Sequence, residues 1–341
     1  MAEMNRQVLL KRRPDGMPVP EDFAIVDSPL PEPGEGQVLL RGIYLSLDPY
    51  MRGRISGQRS YAKPTEIGDV IEGRVVGCVM RSRHASFREG DYAFGGYGWQ
   101  THSTVDGGGL TKLDPTAAPI STALGILGMP GLTAYAGLKT IGEPKSGETV
   151  VISAASGAVG AVAGQLAKRD GCHVVGIAGG ADKCRYVTDE LGFDACVDHR
   201  GGSGGDLDAA LGAACPKGID VYFENVGGAV QRAVYPRLND FGRMIMCGMI
   251  AEYNDSEPRP GPSLVAAVRK RLRIQGFIVG DHAALGPEYL AMAAPLVRSG
   301  TLKYREDIVE GIDNAPAAFI GLLQGRNFGK LIVKLGDDPN R

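Results

Sequence analysis

A short apolar run, Val150-Val151-Ile152, leads directly into Ser153-Ala154-Ala155-Ser156-Gly157-Ala158-Val159-Gly160, with Gly164 four residues further on. Small residues at this spacing let backbone N–H groups come close to a diphosphate, which then rests on the positive end of the following helix. Set against the pattern G-x-G-x-x-G, Gly157 and Gly160 supply the second and third glycines and Ala155 occupies the first position. Such a pattern is weak alone. A strand before it and a helix after it supply the context it needs, so Gly157, Ala158, Val159 and Gly160 are expected to hold a dinucleotide.

The end of the next apolar run, His173-Val174-Val175-Gly176-Ile177-Ala178, decides which dinucleotide. An enzyme using NAD carries an acid there, about 20 residues after the glycines, to grip the ribose 2′-hydroxyl. This chain continues Gly179-Gly180-Ala181-Asp182-Lys183. With no carboxylate at the strand end and a lysine within reach, a 2′-phosphate is favoured, so NADPH is the expected cofactor. Asp182 reads as a helix cap.

The six cysteines, Cys78, Cys172, Cys184, Cys196, Cys215 and Cys247, are scattered and form no C-x-x-C pair or zinc knuckle. They read as reduced thiols in a reducing compartment. His84 and His102 are the only histidines before residue 126, too few for a ligand set.

The elements that must position these residues are legible in outline. From Gln37 to about Val105, short β-branched runs (Val38–Leu40, Val70–Val79, Asp91–Phe94) alternate with glycine and aspartate turns, as in an antiparallel barrel or sandwich. After Leu124 the pattern changes. Gly128–Tyr135 opens a helical stretch. Apolar strands at Val150–Ile152, Val174–Ile177, Val221–Phe223, Met244–Cys247 and Ile274–Val279 then alternate with helical segments such as Val159–Arg169 and Lys183–Leu191. That alternation means βαβ units and a parallel sheet. Gly201–Gly205 and Pro258–Pro262 read as loops and Arg269-Lys270-Arg271 as a solvated helix face. Near the end, Ala315–Leu323 reads as a helix. Lys330–Lys334 reads as a strand that pairs with the β-rich first part. Two domains are expected, 1–126 plus 310–341 and 127–309, in a chain of 341 residues.

Hydrophobic residues at 43% and a formal net charge of −2 give no electrostatic reason to bind nucleic acid or anionic lipid. No apolar run approaches the roughly 20 residues needed to cross a bilayer. Met1–Arg13 lacks the pattern of a secretory leader. Cytoplasmic residence is the expectation.

Several longer segments carry a family resemblance. Ala154–Gly164, Leu127–Tyr135 and Tyr44-Leu45-Ser46-Leu47-Asp48-Pro49-Tyr50-Met51-Arg52-Gly53-Arg54 resemble the leukotriene 12-hydroxydehydrogenase/prostaglandin reductase group of medium-chain dehydrogenases/reductases. So do Glu224-Asn225-Val226-Gly227-Gly228, Cys247-Gly248 with Tyr253-Asn254, and Asn327-Phe328-Gly329-Lys330. Cys215–Asp220 and Asp198-His199 lean toward its bacterial curcumin-reductase branch. The resemblance implies an α/β fold in which a Rossmann doubly wound parallel sheet domain is inserted into a GroES-like β-barrel substrate domain. It further implies NADP contacts from Met129, the Gly157–Gly160 turn, Gly179, Lys183, Asn225, Cys247 and Gly248 through Tyr253, Phe277, Ile278, Val279 and Asn327. His199 stands where mammalian members carry a tyrosine, and is the implied contact near the adenosine end.

Alcohol dehydrogenases of the same superfamily hold a catalytic zinc through a cysteine, a Gly-His-Glu histidine and a further thiolate. Here the cysteine position reads Ser46-Leu47-Asp48-Pro49, and Gly-His-Glu and the four-cysteine lobe are missing. A metal-free mechanism is therefore expected. Adding hydride to a polarised alkene needs only a donor for the developing enolate oxygen. The resemblance implies this chemistry, reduction of the carbon–carbon double bond of α,β-unsaturated ketones and aldehydes. Tyr253 is the implied donor, acting with the nicotinamide ribose hydroxyl, and Tyr50 and Tyr61 are implied to line the substrate pocket. Two alternatives stay open: an NADP-dependent dehydrogenase of an allylic hydroxyl on a lipid, and a non-catalytic NADPH-binding protein. A homodimer formed near the Ile274–Val279 edge is also expected.

Overall fold

A computed structural model describes residues 3–58, 60–201 and 207–339. The chain divides into two compact units, one of residues 1–124, 306–327 and 331–341, the other of residues 125–305 and 328–330.

The first unit is antiparallel. Its strands are β1 (Met4–Leu10), β2 (Phe23–Pro29), β3 (Gln37–Ser46), β4 (Arg74–Ser82), β5 (Tyr92–Gly96), β6 (His102–Asp106) and β7 (Thr111–Leu113). β1 and β2 pair with each other. β3 is the hub, bonded to β4 over one stretch and to β6 over another. Its inward residues Ile43 and Tyr44 meet Val76, Ile120 and Leu124 in a dry cluster. Trp99 is fully buried, stacked on Phe23 and edge-on to Phe319.

In the second unit lie β8 (Thr149–Ser153), β9 (His173–Ala178), β10 (Ala195–Asp198), β11 (Ile219–Glu224), β12 (Leu238–Met246) and β13 (Arg273–Gly276). They form one parallel sheet in the order β10-β9-β8-β11-β12-β13. The order reverses between β8 and β11, the topological switch point of a doubly wound sheet, where ligands bind outside the carboxyl ends of the strands. The central strands are apolar on both faces because helices cover both. Val150, Ile152, Val174, Val221, Phe223 and Ile245 build one core. Val151, Val175, Ile177, Tyr222 and Met244 build the other. The chain then returns as β14 (Glu306–Glu310) and β15 (Lys330–Lys334), and β15 pairs antiparallel with β3. The helix at Ala315–Leu323 is also where the sequence puts it.

Some boundaries differ from the sequence reading. The expected strand Ile274–Val279 stops at Gly276, and Val279 opens a 3₁₀ segment to Leu285 before the helix Gly286–Arg298. Val70 lies outside β4 and makes a single bridge to Leu9. The segment Lys183–Leu191 is split between a short helix, Ala181–Arg185, and a π turn, Tyr186–Glu190. Pro258–Pro262 carries no regular structure. Of the loop read at Gly201–Gly205, Gly201 turns with a left-handed φ of 69°; the others lie outside the described residues.

Candidate active site

Because all six strands of the second unit run the same way, the residues that follow them gather along one edge of the sheet. The Gly157–Gly160 turn follows β8, Gly179 follows β9, His199 follows β10, Asn225 follows β11, Cys247 and Gly248 follow β12, and Phe277 and Ile278 follow β13.

At the end of β8, Ala154 adopts a left-handed φ of 49° and swings the chain off the sheet. Ala155 remains tied to β9 by its N–H to the Ile177 carbonyl (3.0 Å), and Gly157 donates to Ala154 (2.9 Å). The helix Gly160–Arg169 starts at once. The two glycines serve different ends. A Cβ on Gly160 would drive into the Ala154 carbonyl and lie 3.0 Å from Ala155 Cα, whereas one on Gly157 would meet only the Ala154 oxygen, at 3.2 Å. Gly164 has no room for a side chain because the Phe193 ring covers it. Among the described residues, the N–H groups of Ala158 and Val159 find no acceptor. Unpaired N–H groups at a helix start are what an anion such as a diphosphate needs.

The ends of β9 and β10 form a cationic corner. Gly180, with φ 97°, donates to Asp198 (2.8 Å), as does Arg200 (2.9 Å), so one carboxylate fastens both loops. A Cβ on Gly179 would sit 2.7 Å from Arg200 Nε and 3.0 Å from His199 Nε2, which places both side chains against that glycine. Partial desolvation and the charges of Arg200 and Lys183 hold the His199 imidazole below its usual pKa. Lys183, His199 and Arg200 thus share one locality. Arg200 is the member that sequence reasoning missed; its position two residues after Asp198 was the available signal. The reading of Asp182 as a cap is corrected: Gly180 is the N-cap, and Asp182, in the first turn, pairs with Arg185.

At the switch point Ser153 and Asn225 interlock. Asn225 donates its N–H to Ser153 Oγ and its Nδ2 to the Ser153 carbonyl, both at 2.8 Å. Cys247 and Gly248 donate to the Glu224 carbonyl at 3.0 and 3.1 Å. Desolvation and the nearby Glu224 push the Cys247 thiol up to about 12, so it is a neutral thiol and no nucleophile at neutral pH. Tyr253 closes the 3₁₀ turn Ile250–Glu252. Its phenol oxygen accepts the Met249 N–H (3.2 Å), and any Cβ on Gly248 would lie 2.9 Å from that oxygen. A side chain at 248 would therefore push on the phenol, while φ there sets no demand for glycine. An N–H donated into the phenol oxygen polarises its O–H and makes it a stronger donor.

Within the same unit, Val159, Cys247 and Phe277 pack on one apolar cluster, and Phe277 also meets His282 edge-on at 5.7 Å. Met129 begins the helix Met129–Gly137 and accepts the Thr133 hydroxyl on its carbonyl (2.7 Å).

The remaining expected residues belong to the first unit. Tyr50 caps the helix Met51–Ser56, whose Arg54 lies 5.6 Å from the Tyr50 ring centroid and 4.6 Å from that of Tyr61. Arg54 is only 7% exposed and is anchored by Glu72 at 3.0 Å, whereas Tyr61 is 59% exposed. The two tyrosines are therefore brought together through Arg54, which sequence reasoning had not assigned to the site. Asn327 ends the segment of the first unit that runs from Glu306. Where a zinc enzyme places its cysteine, Ser46 donates instead to Asp48. No group of three His, Cys, Asp or Glu side chains capable of holding a metal occurs among the described residues.

Comparison with known proteins places this arrangement. The family described as "N-terminal domain of oxidoreductase" matches residues 6–113, and that described as "Zinc-binding dehydrogenase" matches residues 158–295. The chain belongs to the medium-chain dehydrogenase/reductase family, in the group that holds the prostaglandin reductases. It is 48% identical to the NADPH-dependent curcumin reductase of Escherichia coli (strain K12), over 98% of this chain and 99% of that one. It is 41% identical to a 2-alkenal reductase (NADP(+)-dependent) of Nicotiana tabacum, over 96% and 97%. The crystal structure of CurA in complex with NADPH from Vibrio vulnificus superposes with a TM-score of 0.93 at 45% identity, covering 98% of this chain and all of that one.

Proposed function

We propose that this chain uses NADPH to reduce the carbon–carbon double bond of α,β-unsaturated ketones and aldehydes, without a metal. The observation that carries the reading is the seat of Tyr253: a phenol, polarised by the Met249 N–H, at the strand end beside Asn225 and Gly248. The printed activities of the relatives, a curcumin reductase and a 2-alkenal reductase, support the substrate class.

The residues present fit NADPH. The free N–H groups of Ala158 and Val159 and the open face of Gly157 suit its diphosphate. Lys183, Arg200 and His199 suit a 2′-phosphate, since guanidinium and ammonium groups bind phosphate through strong charge-assisted hydrogen bonds. Asn225, Cys247, Gly248, Phe277, Ile278 and Val279 would hold the nicotinamide half, with Met129, Gly179 and Asn327 completing the set. When bound, NADPH supplies a hydride for the β-carbon of the substrate. Negative charge then gathers on the carbonyl oxygen, where Tyr253 donates a hydrogen bond that strengthens as the charge grows. Tyr50 and Tyr61 offer aromatic faces to an apolar or aryl substrate, and Arg54 holds the pair together.

The reading also divides the protein into a substrate domain, 1–126 with 310–341, and an NADP domain, 127–309. It places the enzyme in the cytoplasm, supported by six cysteines that are all free; no helix is long and apolar enough to cross a membrane among the described residues. It makes the enzyme a homodimer, supported by β13, an edge strand whose four residues are all exposed, next to exposed Leu264, Val265 and Val268. Sedimentation at micromolar concentration should give a dimer; monomer alone overturns that part. The activity is tested by adding NADPH to a panel of enones and enals. Loss of NADPH absorbance supports the reading, whereas reduction of NADP by an allylic alcohol alone, or no change with either, contradicts it.

A further inference from the structure

Glu224 is the last residue of β11, at the reversal point of the sheet, and its side chain is 0% exposed. A buried carboxyl is costly unless its surroundings satisfy it. Here one oxygen does nearly all the accepting. Oε1 receives the Ser153 hydroxyl (3.1 Å), the Val226 N–H (2.7 Å) and the Gly227 N–H (3.0 Å). Oε2 is buried and finds no hydrogen-bond partner among the described residues. The main-chain carbonyl of the same residue takes the N–H groups of Cys247 and Gly248. The Ser153 hydroxyl that donates to Glu224 is itself the acceptor for Asn225 N–H.

One residue therefore joins the ends of three adjacent strands: β8 through Ser153, β11 through the Asn225–Gly227 turn, and β12 through Cys247 and Gly248. We propose that Glu224 is a positioning residue that sets the Asn225 and Cys247–Gly248 loops for the nicotinamide half of NADPH, acting through the acceptor geometry of its Oε1. Fully buried, it acts through Asn225 and Ser153. The proposal rests on the NADPH-binding reading above.

The acceptor, not the charge, carries the effect. Burial raises the Glu224 pKa, opposed by the Gly227 and Val226 N–H groups, and no cation is among its hydrogen-bond partners. Tyr222, the other polar side chain beside this carboxyl, is itself a buried phenol whose pKa is raised by desolvation and by Glu224. A glutamine keeps an oxygen at the Oε1 position. A methionine of similar volume keeps the packing and removes it. The loops are further joined by Ile250 N–H to Asn225 O (3.3 Å), Ala251 N–H to Val226 O (2.9 Å) and Gly228 N–H to Glu252 (2.9 Å), so the fold need not collapse when Glu224 is changed.

The test compares Glu224→Gln, Glu224→Met and Ser153→Ala with the wild type. The readouts are the thermal midpoint without ligand, NADPH dissociation followed by the fluorescence of the bound nicotinamide, and kcat and KM on an enone that the wild type reduces. Glu224→Met should weaken NADPH about tenfold and lower kcat about tenfold, because small displacements of positioning groups are felt strongly in turnover. Glu224→Gln should stay within about threefold on both. Ser153→Ala should weaken NADPH about threefold and lower the midpoint by a few degrees, because the Asn225 N–H and Glu224 Oε1 each lose a partner. A Glu224→Met protein that only melts earlier, with affinity and kcat within about twofold of wild type, overturns the proposal. So does a Glu224→Gln protein as impaired as Glu224→Met, since charge would then be the requirement. Should Glu224→Met fail to fold, Ser153→Ala decides, and wild-type affinity in that variant overturns the proposal. A wild type that binds NADPH yet reduces no enone refutes the activity, while the dissociation constants still judge Glu224.

Discussion

Changing one glycine of the β8 turn at a time should separate its two tasks. Gly160→Ala places a methyl against the Ala154 carbonyl and 3.0 Å from Ala155 Cα, and these are backbone atoms that cannot rotate away. Overpacking of this kind costs about 1–3 kcal/mol. The gain of up to about 1 kcal/mol from replacing glycine at a helix start offsets part of it. A net loss of about 1–2 kcal/mol lowers the melting midpoint by roughly 2–8 °C in a unit of this size. Gly157→Ala behaves differently. Its φ is ordinary and its Cβ meets only the Ala154 oxygen, at 3.2 Å. The ligand-free protein should melt within about a degree of wild type or slightly above it. The same methyl would stand on the face proposed to receive the diphosphate. Displacing one charge-assisted contact costs about 1.5–3 kcal/mol, which is roughly 10- to 150-fold in NADPH affinity. Thermal unfolding without ligand, followed by NADPH titration, gives both numbers. A Gly157→Ala protein that binds NADPH as tightly as wild type refutes the assignment of this turn to the diphosphate.

Tyr253→Phe keeps the ring and removes the donor, so kcat should fall about 10- to 10³-fold with a smaller change in KM; unchanged turnover assigns enolate stabilisation elsewhere. Lys183→Ala and Arg200→Ala should each weaken NADPH by about 1.5–3 kcal/mol and leave NADH nearly untouched. Equal losses for both cofactors would mean that neither side chain reads the 2′-phosphate. Purified protein should keep its activity after exhaustive chelation, and elemental analysis showing about one zinc per chain together with loss of activity on its removal would end the metal-free account.

Much of the second unit was legible because a parallel sheet buried on both faces leaves uninterrupted apolar runs such as Val150–Ile152 and Val174–Ile177, each punctuated by glycine. Those runs place the strand ends, and the strand ends place the residues proposed to hold the cofactor. Strand edges were less legible. Phe277 and Ile278 look as strand-like as Ile274, yet pairing with β12 stops at Gly276, and the sequence carries no sign of where a partner runs out. Side-chain partnerships were least legible. Asp182 has the composition of a cap, but Gly180 with its left-handed φ takes that place and frees Asp182 for Arg185. Arg200 and Arg54 gain their interest only from what folding sets beside them, the Gly179 corner and the Tyr50–Tyr61 pair. Glu224 reads as one letter of a motif, and its role becomes visible only when Ser153, 71 residues away, closes on it.

The central claim, hydride delivery to carbon rather than to oxygen, is tested most directly by isotope transfer. NADPH carrying deuterium at the reactive nicotinamide position, incubated with the enzyme and a simple enone, should yield the saturated ketone with deuterium on the β-carbon and the carbonyl intact. An allylic alcohol bearing deuterium on the former carbonyl carbon would contradict the account.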